Sequence, residues 1–417
     1  MINDIFTPDI KTQNPHIVYP CFKLEKGEHT VIEAVCDQSE KAAAFANEIN
    51  QNIIGDFEKE NADKMCHVST FCFKNGHIYV SYYASTQNSA ENPDYQVARL
   101  AYAPKNDIKD KKIIDILSAG DTILNHKVKQ VYDTILMEKE DEPDNIYILW
   151  TACIDSQYYR LYRIFNTKTE ALGDIKVNRF KVGDIVNDFS TSGIKTALAA
   201  NGKGYKEMRS DIGIMQKVTA RTENGIKYYY TGAYSGNFTC IIKSRDLITW
   251  EYVTQPDEGN GAFRSDTLWE NAVYVLNDKA YYFVRQWQSS ENFEGNAFAS
   301  NRNEWGMDYG ILTCYDLNTN TWEEPVLVGD SQSRSDFILY KNGLYLFHAP
   351  TDRNHIGILK IDTENLKNSS VVLQADMQGS CFYPFVQYGI DGDKLCMSYT
   401  VDRKHIRISS FDLGKYL

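Results

Sequence analysis

Glu270 and Arg285 lie within the stretch of this chain best placed to do chemistry, Arg264 to Trp287, RSDTLWENAVYVLNDKAYYFVRQW. It reads as two apolar strands joined by a tight Asn277-Asp278 turn, with Glu270 near the start of the first and Arg285 at the end of the second. A hairpin folds back on itself, so its two ends lie together. A carboxylate and a guanidinium should therefore meet at one mouth, where such groups can hold an anion or move a proton. Trp269, beside Glu270, is a candidate face for a ligand.

Three Arg-Ser-Asp tripeptides fall close to strand starts: Arg209-Ser210-Asp211, Arg264-Ser265-Asp266 and Arg334-Ser335-Asp336. Counting back from the following turns puts only the last at the head of its strand. The other two sit in approach loops, where each Arg-Asp pair most simply braces its own loop. For Arg334 and Asp336, bracing and ligand binding are equally open. The same count puts His67 and Tyr383 at the depth of Arg334. A lone histidine is usually structural and a lone tyrosine at a strand start is usually core. Their position marks both as candidates.

These residues need elements to hold them, and the elements recur. Six hairpins are legible. Phe71–Phe73 and His77–Tyr83 flank Asn75-Gly76, the strongest short hairpin signal. Ile135–Met137 pairs with Ile146–Thr151, Ile212–Arg221 with Tyr228–Ala233, and Leu268–Leu276 with Ala280–Arg285. Phe337–Tyr340 pairs with Leu344–His348, and Phe385–Tyr388 with Leu395–Tyr399. Each hairpin is followed by another strand-like run. Radial repetition of this kind predicts an all-β, six-bladed β-propeller, with seven blades as the alternative if residues 16–36 start their own.

Asp352-Arg353-Asn354-His355-Ile356 is echoed by Asp402-Arg403-Lys404-His405-Ile406, and Ser244–Trp250 by Tyr315–Trp322. From Ser39 to Phe57, Ala42, Phe45, Ala46, Ile49, Ile53 and Phe57 recur at helical spacing, with Asp37 and Glu40 spaced as a capping box. This predicts one helix packed outside the sheets. The whole chain, 1–417, reads as a single domain. Residues 1–65 supply closing strands plus the helix, and 66–417 supply the six blades.

At 417 residues and 43% apolar, the chain can bury a large core. Its 28 tyrosines and 19 phenylalanines favour strands and carbohydrate-facing surfaces. A formal charge of -12 with no basic stripe argues against nucleic acid, and locally converging arginines could still take an anion. Nine cysteines are scattered singly, which fits buried reduced thiols. The eight histidines show no metal-ligand spacing, and no glycine loop is set to cradle phosphate, so neither metal nor cofactor is expected. No apolar run reaches membrane-spanning length and the first residues carry no secretory pattern, so a soluble, cytoplasmic protein is expected. Oligomeric state is not legible.

In three places, in consistent order, the chain resembles the sialidase superfamily. Glu270–Asp278 followed by Arg285 is similar to that family's glutamate-bearing blade with its trailing arginine. His348-Ala349-Pro350-Thr351-Asp352-Arg353 is similar to the segment carrying a further family arginine. Phe382-Tyr383-Pro384-Phe385, then Asp391-Gly392 and Tyr399-Thr400, is similar to the last blade, which carries the catalytic tyrosine. The resemblance implies a glycoside hydrolase acting on a terminal, acidic sugar. Tyr383 would be the nucleophile and Glu270 its base, while Arg285 and Arg353 would be two of three arginines gripping the substrate's acid; Arg334 is a further candidate for that grip by its position. A free phenol has a pKa of about 10 and needs an adjacent carboxylate to attack near neutrality. Tyrosine nucleophiles are a known departure from two-carboxylate glycoside hydrolysis.

The chain departs from the family in three ways. His67-Val68-Ser69 stands where the family has Arg-Ile-Pro, so an arginine is replaced by a residue that cannot form the same fork. The family's acid/base aspartate has two counterparts here, Glu91 and Asp94, and both stay open. Ser244–Trp250 resembles the outer-strand Asp-box without its glycine.

Two other functions fit the same residues. A propeller polysaccharide lyase would act on uronates with His67 and a tyrosine; Tyr82 and Tyr83 stand where such lyases often place a second histidine. A non-catalytic propeller would bind a glycan or a protein without chemistry. Five-bladed furanosidases rank below these, because they need three axial carboxylates.

Overall fold

A computed structural model describes residues 24, 27–34, 39–204, 211–236, 238–265, 267–286, 309–329, 331, 333–350, 352–389 and 392–417. The chain is all-β, in a β-propeller arrangement. The described strands form six sheets, each built mainly from antiparallel neighbours. The strands that open the central hairpins of these sheets are Met65–Lys74, His126–Met137, Ile212–Ile214 with Thr219–Glu223, Leu268–Leu276, Asp336–Tyr340 and Phe382–Tyr388. A cavity of about 440 Å³ is lined by Phe71, Met137, Thr219, Val275, Ile338 and Phe385, one residue from the opening strand of each sheet.

The six predicted hairpins are present, and Asn75-Gly76 and Asn224-Gly225 turn with positive φ, which asparagine and glycine tolerate. The repeated outer turns also share geometry. Asp246 accepts the backbone N–H groups of Ile248 and Thr249 at 2.8 and 2.7 Å, and Asp316 those of Asn318 and Thr319 at 2.9 and 2.8 Å. The seven described cysteines are free and buried.

The N-terminal region departs from expectation. The helix covers Glu40–Gln51, capped by the Ser39 hydroxyl on the Ala42 N–H, not by Asp37, which lies outside the described residues. Phe45 meets Phe411 and Tyr416 edge-on, which fixes the helix outside the fifth and sixth sheets. Ile53 and Phe57 keep helical spacing but leave the helix. Ile53–Asp56 is a strand that pairs with His405–Phe411 and completes the last sheet. The cause is tertiary: His405–Phe411 offers an open edge, and an edge is satisfied by adding a strand. Val31–Ile32 pairs in parallel with Leu327–Val328 in the fourth sheet, not the last. A second helix, Thr191–Ala200, capped by Ser190, packs beside the third sheet.

Four opening strands share an irregularity that matters for the site. His67 pairs with Tyr83 and Thr70 with Ser81, so three steps on one strand match two on its partner. The same count holds from Tyr132 to Ile135, Leu268 to Asn271 and Phe382 to Phe385. Each is a bulge, and bulges re-aim side chains. Val68, Asp133 and Tyr383 occupy the same bulge position, and all three have positive φ, near 50°.

Candidate active site

The bulges bring Tyr383 and Glu270 together. The Tyr383 hydroxyl lies 3.2 and 3.3 Å from the two Glu270 carboxylate oxygens. Both residues are buried, yet their surroundings are polar. Arg285 donates to Glu270 Oε2 and lies 3.4 Å from the Tyr383 hydroxyl. Arg334 Nε donates to Glu270 Oε1 at 2.6 Å. The Arg353 guanidinium sits 5.7 Å from the Tyr383 ring and 4.9 Å from that of Phe382.

His67 lies flat against Tyr383, and its Nδ1 is 3.0 Å from the Thr400 hydroxyl. Burial above all, then Arg403, Arg353, Arg334 and Arg285, push its pKa well below the ordinary value. The imidazole is therefore neutral, and it adds no charge where the family resemblance would place an arginine.

The electrostatics suit a nucleophile with an attendant base. Burial and then Glu270 raise the Tyr383 phenol above its usual pKa, against Arg285, Arg353 and Arg334. Burial works to raise the Glu270 pKa, but Arg334 and Arg285 overcome it and hold the carboxyl below its usual range. Glu270 is thus ionised beside a protonated phenol. Arg353 is pushed down to about 9, first by burial, with Arg285 and Arg403 adding to it against Tyr383 and Glu91. A guanidinium so placed gains from an incoming anion.

Behind Glu270 runs a buried chain of alternating charge. Arg334 reaches Asp133 Oδ1, and Asp133 Oδ2 takes Arg160 at 3.0 Å. Arg160 also donates to the Thr151 hydroxyl at 2.9 Å and the Asp133 carbonyl at 2.7 Å. Gly213 makes room for this: a Cβ there would stand 2.3 Å from the Tyr234 ring and 2.7 Å from Asp133 Oδ2. Arg334 therefore positions Glu270 and is engaged at both ends, which differs from the substrate-gripping role considered for it.

The remaining candidates divide. Glu91 joins the cluster, taking the Tyr83 hydroxyl on Oε1 and Arg403 on Oε2 at 2.7 Å. Asp94 is exposed at the rim, where Gln130 donates to it at 2.6 Å. Trp269 lies under the Arg285 guanidinium at 5.0 Å. Asp211 directly precedes the strand Ile212–Ile214 and bears electrostatically on Tyr132 and Tyr234. Asp336 is turned elsewhere: its carboxylate accepts the Val386 N–H at 2.7 Å and Lys217 at 2.9 Å, bracing three sheets together below the site. Arg264 is exposed in its loop. Arg209 and Asp266 lie outside the described residues.

Two residues of the cluster escaped the sequence reading, Asp133 and Arg403. Arg403 is carried by the loop joining the second and third strands of the last sheet, as Arg353 is in the fifth. Its carbonyl accepts the Cys66 N–H at 2.8 Å, which sets it next to His67, and its guanidinium lies 5.7 Å from the Phe382 ring. The repeated Asp-Arg-x-His-Ile segment was the available signal. Elsewhere, Asp56, Glu58 and His405 bring possible ligand atoms within 4.8 Å of one another. Each is already engaged, Asp56 by both arms of Arg407 and Glu58 by His405 and the Ile406 N–H.

No protein-family model matches the chain, and no curated protein matches it by sequence. Solved structures do match. A Trypanosoma rangeli sialidase in complex with sialic acid aligns with a TM-score of 0.52 at 12% identity, over 86% of this chain and 58% of its own. A Hadza microbial sialidase gives 0.56 at 12%, over 86% and 68%. A leech intramolecular trans-sialidase gives 0.52 at 11%, over 85% and 69%. This chain thus spans less than two thirds of the Trypanosoma enzyme. At such identities the likeness is one of architecture, and the chain has the fold of the sialidases.

Proposed function

We propose that this protein is a sialidase-like glycoside hydrolase on a six-bladed propeller, releasing a terminal acidic sugar through a covalent bond to Tyr383. The blade count is supported by six sheets around a shared axial cavity. The observation that carries the reading is the Tyr383 hydroxyl 3.2 Å from Glu270, with the guanidiniums of Arg285 and Arg353 beside it.

Glu270 takes the phenolic proton as Tyr383 Oη bonds to the anomeric carbon. The bond to the leaving oxygen breaks, and that oxygen receives a proton from Glu91, the acid within the cluster. Water then attacks the anomeric carbon and gives a proton back to Glu91. The tyrosyl oxygen departs and regains its proton from Glu270. Two displacements at one carbon retain its configuration. A neutral nucleophile also avoids the repulsion a carboxylate would meet beside an anionic sugar. Arg285, Arg353 and Arg403 hold the acid. Arg403 supplies, from the last sheet, the charge that His67 lacks in the first.

The test is a panel of aryl glycosides of nonulosonic and hexuronic acids with polyuronates, given to the wild type and to Tyr383→Phe and Glu270→Gln. Turnover lost in both folded variants supports the hydrolase, and turnover kept in either contradicts it. Absence of turnover by the wild type on every member favours a binding module. One observation favours a second reading: His67 stacks on Tyr383 with Tyr83 edge-on at 5.8 Å, a His-Tyr grouping a uronate lyase could use. Formation of an ultraviolet-absorbing unsaturated uronate would identify it.

A further inference from the structure

Both carboxyls assigned to the chemistry are held by arginines. Glu270 gives one oxygen to Arg285 and the other to Arg334. Glu91 gives one oxygen to Arg403 and the other to the Tyr83 hydroxyl. A carboxylate occupied on both oxygens by charge-assisted bonds is a poor proton acceptor and a poor proton carrier, because one bond must break first.

We propose that the acidic group of the substrate arms the site by drawing Arg285 away from Glu270 and Arg403 away from Glu91, so that base and acid are released only once an anion is seated. This rests on the glycosidase reading above.

Arg334 stays with Glu270. Arg334 is fixed at its far end by Asp133, itself held by Arg160 at 3.0 Å. Arg285 and Arg403 instead face Arg353, and all three bear on the same aromatic platform. Arg285 lies 5.9 Å from the Tyr383 ring, Arg353 lies 4.9 Å from Phe382, and Arg403 lies 5.7 Å from Phe382. An anion among these three groups gains three donors and relieves their mutual repulsion, which offsets the loss of the two ion pairs. Glu270 keeps Arg334, so it stays aimed at Tyr383 while Oε2 becomes available for the phenolic proton. Glu91, released by Arg403, takes a proton from solvent water on the freed Oε2 and passes it to the leaving oxygen. The substrate's charge then contributes to the chemical step as well as to binding, and neutral sugars of the same shape are disfavoured in kcat.

The experiment compares the aryl glycoside of the acidic sugar turned over fastest in the panel with its carboxamide, with and without added sodium formate. The expected result is a kcat on the carboxamide lower by about 100-fold, recovered about 10-fold by formate in a saturable way. Arg285→Met, which removes the clamp on Glu270, should turn over the carboxamide faster than wild type does, while its KM for the acid rises. Equal kcat on acid and carboxamide, with only KM changed, overturns the switch and leaves the glycosidase reading standing. The formate arm uses unaltered protein, so a failure of Arg285→Met to fold does not spare the proposal: absence of rescue by formate overturns it. No turnover of the acid substrate, with Tyr383→Phe indistinguishable from wild type, overturns the glycosidase reading itself.

Discussion

His67 and Tyr383 lie face to face, ring centroids 4.5 Å apart and planes within 16°. One comes from the first sheet and one from the last, so their contact joins those two sheets at the site. The imidazole is buried and neutral, and its stacking holds the phenol in place without competing for its proton. His67 should therefore show no titration between pH 5 and 8 by NMR. His67→Arg would add a charge to a crowd of arginines and should lower the unfolding free energy by at least about 2 kcal/mol. Denaturant melts check this; an unchanged midpoint would contradict it.

Asp133 is the hinge of the buried charge chain. Asp133→Asn leaves Arg334 and Arg160 without their shared carboxylate. It should cost about 3–5 kcal/mol in chemical denaturation, the usual penalty for breaking a buried ion pair. Turnover should fall too, because Arg334 orients Glu270 at 2.6 Å.

Gly213 carries a related prediction. A methyl group there would meet the Tyr234 ring and Asp133 Oδ2. Gly213→Ala should cost about 1–3 kcal/mol through overpacking and lower kcat by displacing Asp133. A variant with wild-type stability and kcat would show that the close approach is dispensable.

Much of this scaffold was legible because its signals are local. Asn-Gly turns between alternating apolar runs mark hairpins whatever surrounds them. Glu270 and Arg285 were placed at one mouth by that logic alone, and they touch. The edge of the helix was not legible, because Ile53 and Phe57 continue its spacing while the open edge of His405–Phe411 recruits Ile53–Asp56 as a strand. Asp133 and Arg403 were hidden for a similar reason. A bulge aims Asp133 inward, and the sixth sheet's position beside the first delivers Arg403 to His67. Neither register nor ring closure is written in a short window of residues. Asp336 shows the converse. It heads its strand as counted, yet Lys217 and the Val386 N–H claim its carboxylate.

Arg403 carries a specificity prediction. Arg403→Met should raise KM for an acidic aryl glycoside, lowering kcat/KM about 10- to 100-fold, as expected for loss of one charge-assisted contact. The carboxamide should be affected less. Equal loss on both substrates would assign Arg403 a purely structural role.

His348 gives a pH prediction away from the site. Burial pushes its pKa down to about 4 from 6.5. The folded value lies below the unfolded one, so the unfolded chain takes up the proton first as pH falls. The stability at stake is complete above about pH 6.5 and is lost as pH drops toward about 4, on the order of 3 kcal/mol in all. His348→Gln should lack this component, so its unfolding free energy should fall less than that of wild type between pH 7 and 4. Parallel curves would contradict it.

The most direct measurement traps the covalent intermediate. A fluorinated glycosyl fluoride of the preferred acidic sugar, incubated with wild-type protein, should leave one sugar on the peptide carrying Tyr383, read by mass spectrometry. Tyr383→Phe should carry none. A sugar found on another residue, or steady turnover by Tyr383→Phe, would contradict the assignment of this phenol as the nucleophile.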